Sequence, residues 1–224
     1  KAGEESEKNE LLIDFLVPIV KTYPAEMGIL ATSAAIQCLG GYGYCKDFPV
    51  EQYFRDVRID PIHEGTTGIQ GQDLLGRKVI MKKGRAFQLF KEELSGTINT
   101  AAEIDQLKLP AKMLEEAMIM VEQVTSHLLQ TAVQGDTERF LSDASLYLEM
   151  TGILTIGWQW LLQGVAACQA LNVNVSTVDK NFYQGKMLTM QYYFDYEMPR
   201  INTLCEILTR NEGFMSDVPL ETFV

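Results

Sequence analysis

Apolar residues recur at intervals of three and four along most of the chain, and strand-like alternation is scarce. The pattern predicts an all-α protein, a helical bundle followed by a second helical bundle. A helix covers Leu11 to Tyr23. Pro24 suits the first turn of the next, whose apolar face carries Met27, Leu30, Ala31, Ala34 and Ala35. Gly40 and Gly41 stop that helix, because glycine enters left-handed backbone readily. Tyr42 to Phe48 reads as a loop, and Pro49 begins a short helix to about Val57. Asp60-Pro61 breaks it, and Gly65 or Thr66 opens a third helix running to about Lys83.

The remainder has a different texture. Leu114, Met118, Val121, Val124 and Leu128 form one apolar stripe, and Leu141 to Leu171 is apolar nearly all round, which predicts a buried helix. Asn172 to Asp179 reads as a linker. Met187, Met190, Phe194, Met198, Ile201, Cys205 and Leu208 form a last amphipathic helix with a kink at Pro199. The methionines read as core rather than as a partner groove. Gly84, Gly96, Thr97 and Pro110 place a boundary in residues 84–108, dividing the chain into 1–95 and 96–224.

Charge supports that division. Residues 1–95 hold 12 basic and 14 acidic side chains, against 7 and 16 from residue 96 onward, for a net charge of −11. Nucleic-acid binding needs clustered Lys and Arg, so this balance argues against it. No run of about 20 apolar residues is present, so no membrane span is expected. Cys38, Cys45, Cys168 and Cys205 form no CxxC pair and only two histidines accompany them, which argues against a metal site. The cysteines read as reduced, mostly buried thiols of a cytoplasmic protein. Lys1 to Glu10 is polar and reads as a solvated arm or a cut point inside a longer protein.

The chemistry lies in Gln37 to Lys78, QCLGGYGYCKDFPVEQYFRDVRIDPIHEGTTGIQGQDLLGRK. Glu64 sits between a proline-broken loop and a helix start, followed by the small residues Gly65, Thr66, Thr67 and Gly68. Free N–H groups at a helix start receive an oxygen or a phosphate, and a carboxylate beside them can serve as general base. The same residues also suit a plain helix cap at Glu64 and a plain helix stop at Gly40-Gly41.

The order QxxGGxGY–PVEQxxRDxRIxPIxEGTxGIQ resembles the signature of the acyl-CoA dehydrogenase family over about residues 10–83. The form EGTTGIQGQDLLGRK, followed by a further helical region, resembles the bacterial subgroup acting on acyl-CoAs such as methylthiopropionyl-CoA. On this resemblance residues 1–95 are part of the family's C-terminal helical domain and 96–224 a helical C-terminal extension. Glu64 stands where the family's base removes the α-proton of an acyl thioester, while a hydride leaves the β-carbon for flavin N5 to give a trans-2-enoyl-CoA. The N–H of Glu64 would donate to the thioester carbonyl, and burial would raise the base toward working pH. Gly65 would line the substrate. Gln37, Cys38, Leu39, Gly40 and Gly41 match a stretch contacting the FAD of a neighbouring subunit, which implies a homo-oligomer. Thr66, Thr67 and Gly68 match a second flavin-contacting stretch, with Gly68 where many relatives carry a polar side chain. The implied electron acceptor is electron-transferring flavoprotein.

The blander readings concern the flanking residues. Arg55 and Asp56 read as a structural ion pair, Arg77 and Lys78 as a solvated face, and neither His63 nor His127 is assigned chemistry. Family members place an N-terminal helical domain and a middle β domain before this segment, so the chain alone is expected to be inactive and to hold FAD weakly or not at all. Two alternatives accompany this reading: a non-catalytic helical interaction or oligomerisation domain, and an acyl-CoA oxidase. A degenerate relative would be expected to lose the trio Glu64, Gly65 and Thr66, which is intact here.

Overall fold

The computed structural model describes residues 2–173, 175–210 and 218–223, and no strand occurs among them. The expected all-α class is what the chain adopts. α1 (Ala2–Leu39) is followed by a 3₁₀ turn (Gly40–Tyr44), α2 (Val50–Val57) and α3 (Thr67–Asp73). α4 (Met81–Ala102), α5 (Lys108–Val133), α6 (Thr137–Ser142) and α7 (Ala144–Leu171) come next, and α8 (Thr177–Tyr192) and α9 (Arg200–Arg210) complete the packed body.

α7 is the central helix, packed by α1, α3, α4, α5, α8 and α9. Its sequence explains the place: Tyr147, Met150, Ile153, Leu154, Trp158 and Leu161 point to different sides and are all buried. The core is continuous from Phe15 on α1 to Leu208 on α9. Phe90 joins the halves, its ring tilted against Phe15 at 4.9 Å and meeting Trp158 edge-on at 6.0 Å. The Trp158 indole N–H donates to Thr97 Oγ1 at 2.8 Å, which satisfies the ring's polar atom in the core.

Several boundaries differ from the sequence expectation. α1 runs unbroken through Pro18 and Pro24. Pro24 withholds one N–H from the carbonyl of Val20, but Val20 lies on an exposed face where water can replace that donor, while Phe15, Ile19 and Ala25 stay buried on the other. The residues expected to form a solvated arm belong to the same helix, where Lys8 pairs with Glu93 at 2.7 Å, and Lys1 lies outside the described residues. The third helix continues beyond Asp73 as a π-helical turn, Leu74–Lys78. Lys82, Lys83 and Gly84 all take left-handed backbone and separate it from the straight part of α4. That part passes through Gly96 and Thr97 without a break, and so through residues 95 and 96. The linker is shorter than expected, since Ser176 accepts from Asp179 N–H and starts α8, and Asn174 lies outside the described residues.

The methionine stripe is core: Met190, Phe194, Met198, Ile201 and Leu208 are all buried. A π-helical turn at Tyr193–Glu197 carries the stripe from α8 into α9. Lys78, expected on a solvated face, is 5% exposed and reaches Asp14 at 3.2 Å. Arg77 is exposed and pairs with Asp73 at 2.5 Å. Arg55 and Asp56 are both exposed and make no ion pair among the described residues. All four cysteines are free, but Cys38 and Cys45 are exposed, because the end of α1 and the turn after it lie outside the core.

Two buried phenols give the fold an alkaline limit. Tyr147 is fully buried with Thr125 Oγ1 at 2.7 Å, and burial pushes its phenol up to about 12. Tyr193 donates to Ile153 O at 3.0 Å and is pushed up by burial and then by Tyr23. In the unfolded chain both ionise near 10. Their stabilising contribution is therefore complete below about pH 10 and is lost as pH rises toward the folded values, at about 1.4 kcal/mol per pH unit per tyrosine. Urea melts between pH 9 and 12 should show falling stability, with tyrosinate absorbance from these rings appearing only on unfolding. Constant stability over that range would contradict the burial described.

Candidate active site

The segment between α2 and α3 is held by a small set of side chains. After α2 the backbone turns through Ile59, where both Ile62 N–H and His63 N–H donate to the Ile59 carbonyl at 2.9 and 3.1 Å. Glu64 then takes φ +53° and Gly65 φ +91°. Left-handed backbone is cheap for glycine but costs a β-substituted residue about 1–2 kcal/mol. Thr66 returns to extended backbone and caps α3, its hydroxyl accepting from Ile69 N–H at 3.4 Å.

Five hydrogen bonds fix this conformation. Lys21 Nζ on α1 donates to the carbonyls of Asp60 at 2.9 Å and Gly65 at 2.6 Å. Gln70 Nε2 on α3 donates to the carbonyl of Glu64 at 2.9 Å. The Thr67 hydroxyl donates to Glu26 on α1, and Thr67 N–H donates to Pro61 O at 3.2 Å. The carbonyls of Glu64 and Gly65 are thus engaged, whereas the N–H groups of Glu64, Gly65 and Thr66 have no acceptor among the described residues. The Glu64 side chain is exposed. The loop therefore presents a carboxylate and consecutive unpaired donors on one short turn, an arrangement suited to an oxyanion next to a proton acceptor.

The candidate residues fall into two groups. Gln37, Cys38, Leu39, Gly40 and Gly41 form the exposed end of α1 and the start of its 3₁₀ turn. Neither Gly40 nor Gly41 would bring a Cβ within 4 Å of any atom, so this backbone is open to a close approach. The turn is pinned at Gly43, where a Cβ would lie 2.4 Å from Ile36 O. Glu64 to Gly68 form the second group, anchored at Lys21 and Glu26. From those anchors to Leu39 is roughly 20–27 Å along the helix at 1.5 Å per residue. α1 thus carries one candidate group near its middle and the other at its end. Thr67 differs from its neighbours, since its hydroxyl and N–H are both committed within the chain. Gly68 has space, with its nearest atoms 4.0 Å from a Cβ.

Sequence reading alone had no means of finding Lys21 or Glu26. They lie 44 and 41 residues before their partners Gly65 and Thr67, on a helix whose pattern reads only as amphipathic. Gln70 was accessible as the Gln of the GIQ motif. A cavity of about 340 Å³ shares Glu26 and Thr67 with the loop but opens between α1, α7 and Arg200 and does not include Glu64.

A substitution follows directly from this geometry. A Cβ at Gly65 would sit 2.8 Å from Gln70 Nε2, and φ +91° is unfavourable for any L side chain. Gly65→Ala should therefore displace the Gln70 amide from the Glu64 carbonyl and cost about 1–3 kcal/mol locally. Hydrogen exchange should accelerate in residues 60–68 with the rest unchanged. Wild-type exchange there would contradict the strain.

Comparison with known proteins agrees with this architecture. Residues 2–79 match the family model described as acyl-CoA dehydrogenase, C-terminal domain, and residues 90–219 match the model described as acetyl-CoA dehydrogenase C-terminal like. The chain belongs to the acyl-CoA dehydrogenase family. A broad-specificity linear acyl-CoA dehydrogenase of Mycobacterium tuberculosis is 30% identical over 202 residues, which is 87% of this chain and 33% of that protein. A 3-methylmercaptopropionyl-CoA dehydrogenase of Ruegeria pomeroyi is 36% identical over 183 residues, 81% of this chain and 30% of that protein. A butyryl-CoA dehydrogenase of Syntrophomonas wolfei is 26% identical over 213 residues, 93% of this chain and 34% of that protein. The chain spans about a third of the length of these curated relatives. No helix among the described residues is long and apolar enough to cross a membrane.

Proposed function

We propose that the chain is the C-terminal part of an FAD-dependent acyl-CoA dehydrogenase that oxidises acyl-CoA to trans-2-enoyl-CoA, with Glu64 as the base that takes the α-proton. The observation that supports this best is the loop itself. Glu64 is held at φ +53° with its carbonyl bonded to Gln70 and its N–H without an acceptor among the described residues. A thioester carbonyl accepting that N–H would bring its α-carbon beside the carboxylate of the same residue. The proton acceptor and the enolate-stabilising donor then move as one unit, and a single such donor is worth about 3–4 kcal/mol. FAD, when bound, supplies the acceptor for the β-hydride. Gly65 leaves room for the thioester.

Thr66 and Gly68 would offer unpaired or open backbone to the cofactor, while Thr67 anchors the loop to α1 rather than presenting its hydroxyl. Gln37, Cys38, Leu39, Gly40 and Gly41 would hold the flavin of a second subunit. Their exposure and their distance along α1 from Lys21 and Glu26, the anchors of the Glu64 loop, favour that reading and, with it, a homo-oligomer. Residues 1–95 form the C-terminal helical domain in this account and 96–224 the extension. Electron-transferring flavoprotein is the proposed acceptor and the cytoplasm the proposed compartment. The exposure of Glu64 fits a site whose remaining walls lie outside these 224 residues, so catalysis is assigned to the full-length parent.

The parent, loaded with FAD and given acyl-CoA and an artificial electron acceptor, should form trans-2-enoyl-CoA. No enoyl product from any acyl-CoA tried would overturn the reading. Rapid peroxide formation when air replaces the acceptor would assign the oxidase reaction in its place.

A further inference from the structure

We propose that Lys21 is a positioning residue for Glu64, a role that rests on the reading of Glu64 as the base. Lys21 is half-buried beneath the loop, and its ammonium pairs with no carboxylate among the described residues. Its two acceptors are the main-chain carbonyls of Asp60 and Gly65, which bracket Glu64 from both sides. A surface lysine ordinarily keeps its ammonium in water and extends its stem over apolar neighbours. Here the charge is directed at two peptide dipoles of one short loop.

Left-handed backbone at a residue such as Glu64 persists only where its surroundings over-determine it. Lys21 and Gln70 provide that constraint, because between them they engage the carbonyls of Asp60, Glu64 and Gly65. Charge-assisted hydrogen bonds are roughly twice as strong as neutral ones, so Lys21 is the stronger of the two anchors. With the carbonyls engaged by α1 and α3, the N–H groups of residues 64–66 are left without an acceptor among the described residues. Lys21 itself touches neither substrate nor cofactor in this account. It acts by holding the carboxylate and the N–H of Glu64 in one fixed relation.

The test compares Lys21→Met and Lys21→Arg with wild type in the FAD-loaded full-length parent. Methionine keeps a stem and removes the ammonium, whereas arginine keeps donors enough for two carbonyls. Lys21→Met should retain FAD and an unchanged KM, and reduce its flavin about 10²-fold more slowly, the loss expected of a misplaced reacting group. Its isotope effect with α-deuterated acyl-CoA should rise, because proton removal becomes the slow step. Lys21→Arg should recover most of the rate. Hydrogen exchange of residues 59–67 should quicken in Lys21→Met and nowhere else. Faster exchange with wild-type flavin reduction would overturn the positioning role, as would a rate loss that merely follows lost FAD and that arginine fails to repair. A wild-type parent that no acyl-CoA reduces would instead refute the base assignment and the positioning role with it, leaving any exchange difference as the mark of a structural tie.

Discussion

Glu64→Gln in the full-length parent should bind FAD and acyl-CoA as wild type does and reduce its flavin about 10²–10⁴-fold more slowly, the range a general base contributes. The amide has nearly the shape of the carboxylate, and both side chains meet the same left-handed backbone at φ +53°. The loop's anchors are main-chain carbonyls bonded by Lys21 and Gln70, so they do not depend on the charge at residue 64. The N–H donor to the thioester also survives. What disappears is the proton acceptor alone, so the loss should fall on the rate and not on binding. A thousandfold decrease corresponds to about 4 kcal/mol of barrier. Stopped-flow reduction under anaerobic conditions measures it, and near-normal reduction would move the base role to another residue.

The second large effect concerns stability and falls on Gly71. A Cβ there would lie 2.6 Å from Ala144 O, 2.7 Å from Ala144 C and 3.0 Å from Ser145 N. All three are main-chain atoms at the start of α7, so no side-chain rotation relieves the clash. α3 and α7 must separate, and α3 carries Thr67 and Gln70. Alanine in a helix interior is otherwise favoured over glycine by about 1 kcal/mol. The contact should outweigh that preference: overpacking costs about 1–3 kcal/mol and occasionally more, and rigid backbone puts Gly71→Ala at the upper end. The melting temperature should fall by roughly 6–12 °C at about 2–4 °C per kcal/mol. Gly96→Ala is the matched control, since that Cβ meets nothing within 4 Å inside α4, and it should leave stability equal or higher by up to about 1 kcal/mol. An unchanged melting temperature for Gly71→Ala would mean that the two helices are not in backbone contact.

What the sequence carries well here is periodicity. The α5 stripe and the all-round apolar α7 are legible because burial on one face or on every face leaves its mark on residues close together in the chain. Proline and glycine were less reliable guides. Pro24 reads as a break, yet α1 passes through it, because the face that loses a hydrogen bond is the one exposed at Val20. Gly96 reads as punctuation, yet it lies in an unbroken helix packed on α5 and α7. Lys78 reads as solvated because local pattern cannot show that Asp14, 64 residues earlier, is its partner.

The candidate site divides in the same way. The resemblance of the EGTTGIQ run was visible because its residues are contiguous. The left-handed turn at Glu64 was not, since nothing in Glu prefers it and the residues that enforce it include Lys21, on a distant stretch of α1. The commitment of Thr67 to Glu26 was hidden for the same reason. Tertiary partners chosen across 40 residues leave no periodic trace in a single sequence.

The most direct test of Glu64 as the base of an acyl-CoA dehydrogenase is anaerobic titration of the FAD-loaded parent with a short acyl-CoA, followed through the flavin's visible absorbance and set beside Glu64→Gln. The wild-type flavin should bleach, while the variant should bind acyl-CoA and stay oxidised. A wild-type flavin that binds acyl-CoA and never bleaches, or a variant that bleaches as fast as wild type, would contradict the assignment of Glu64 as the base.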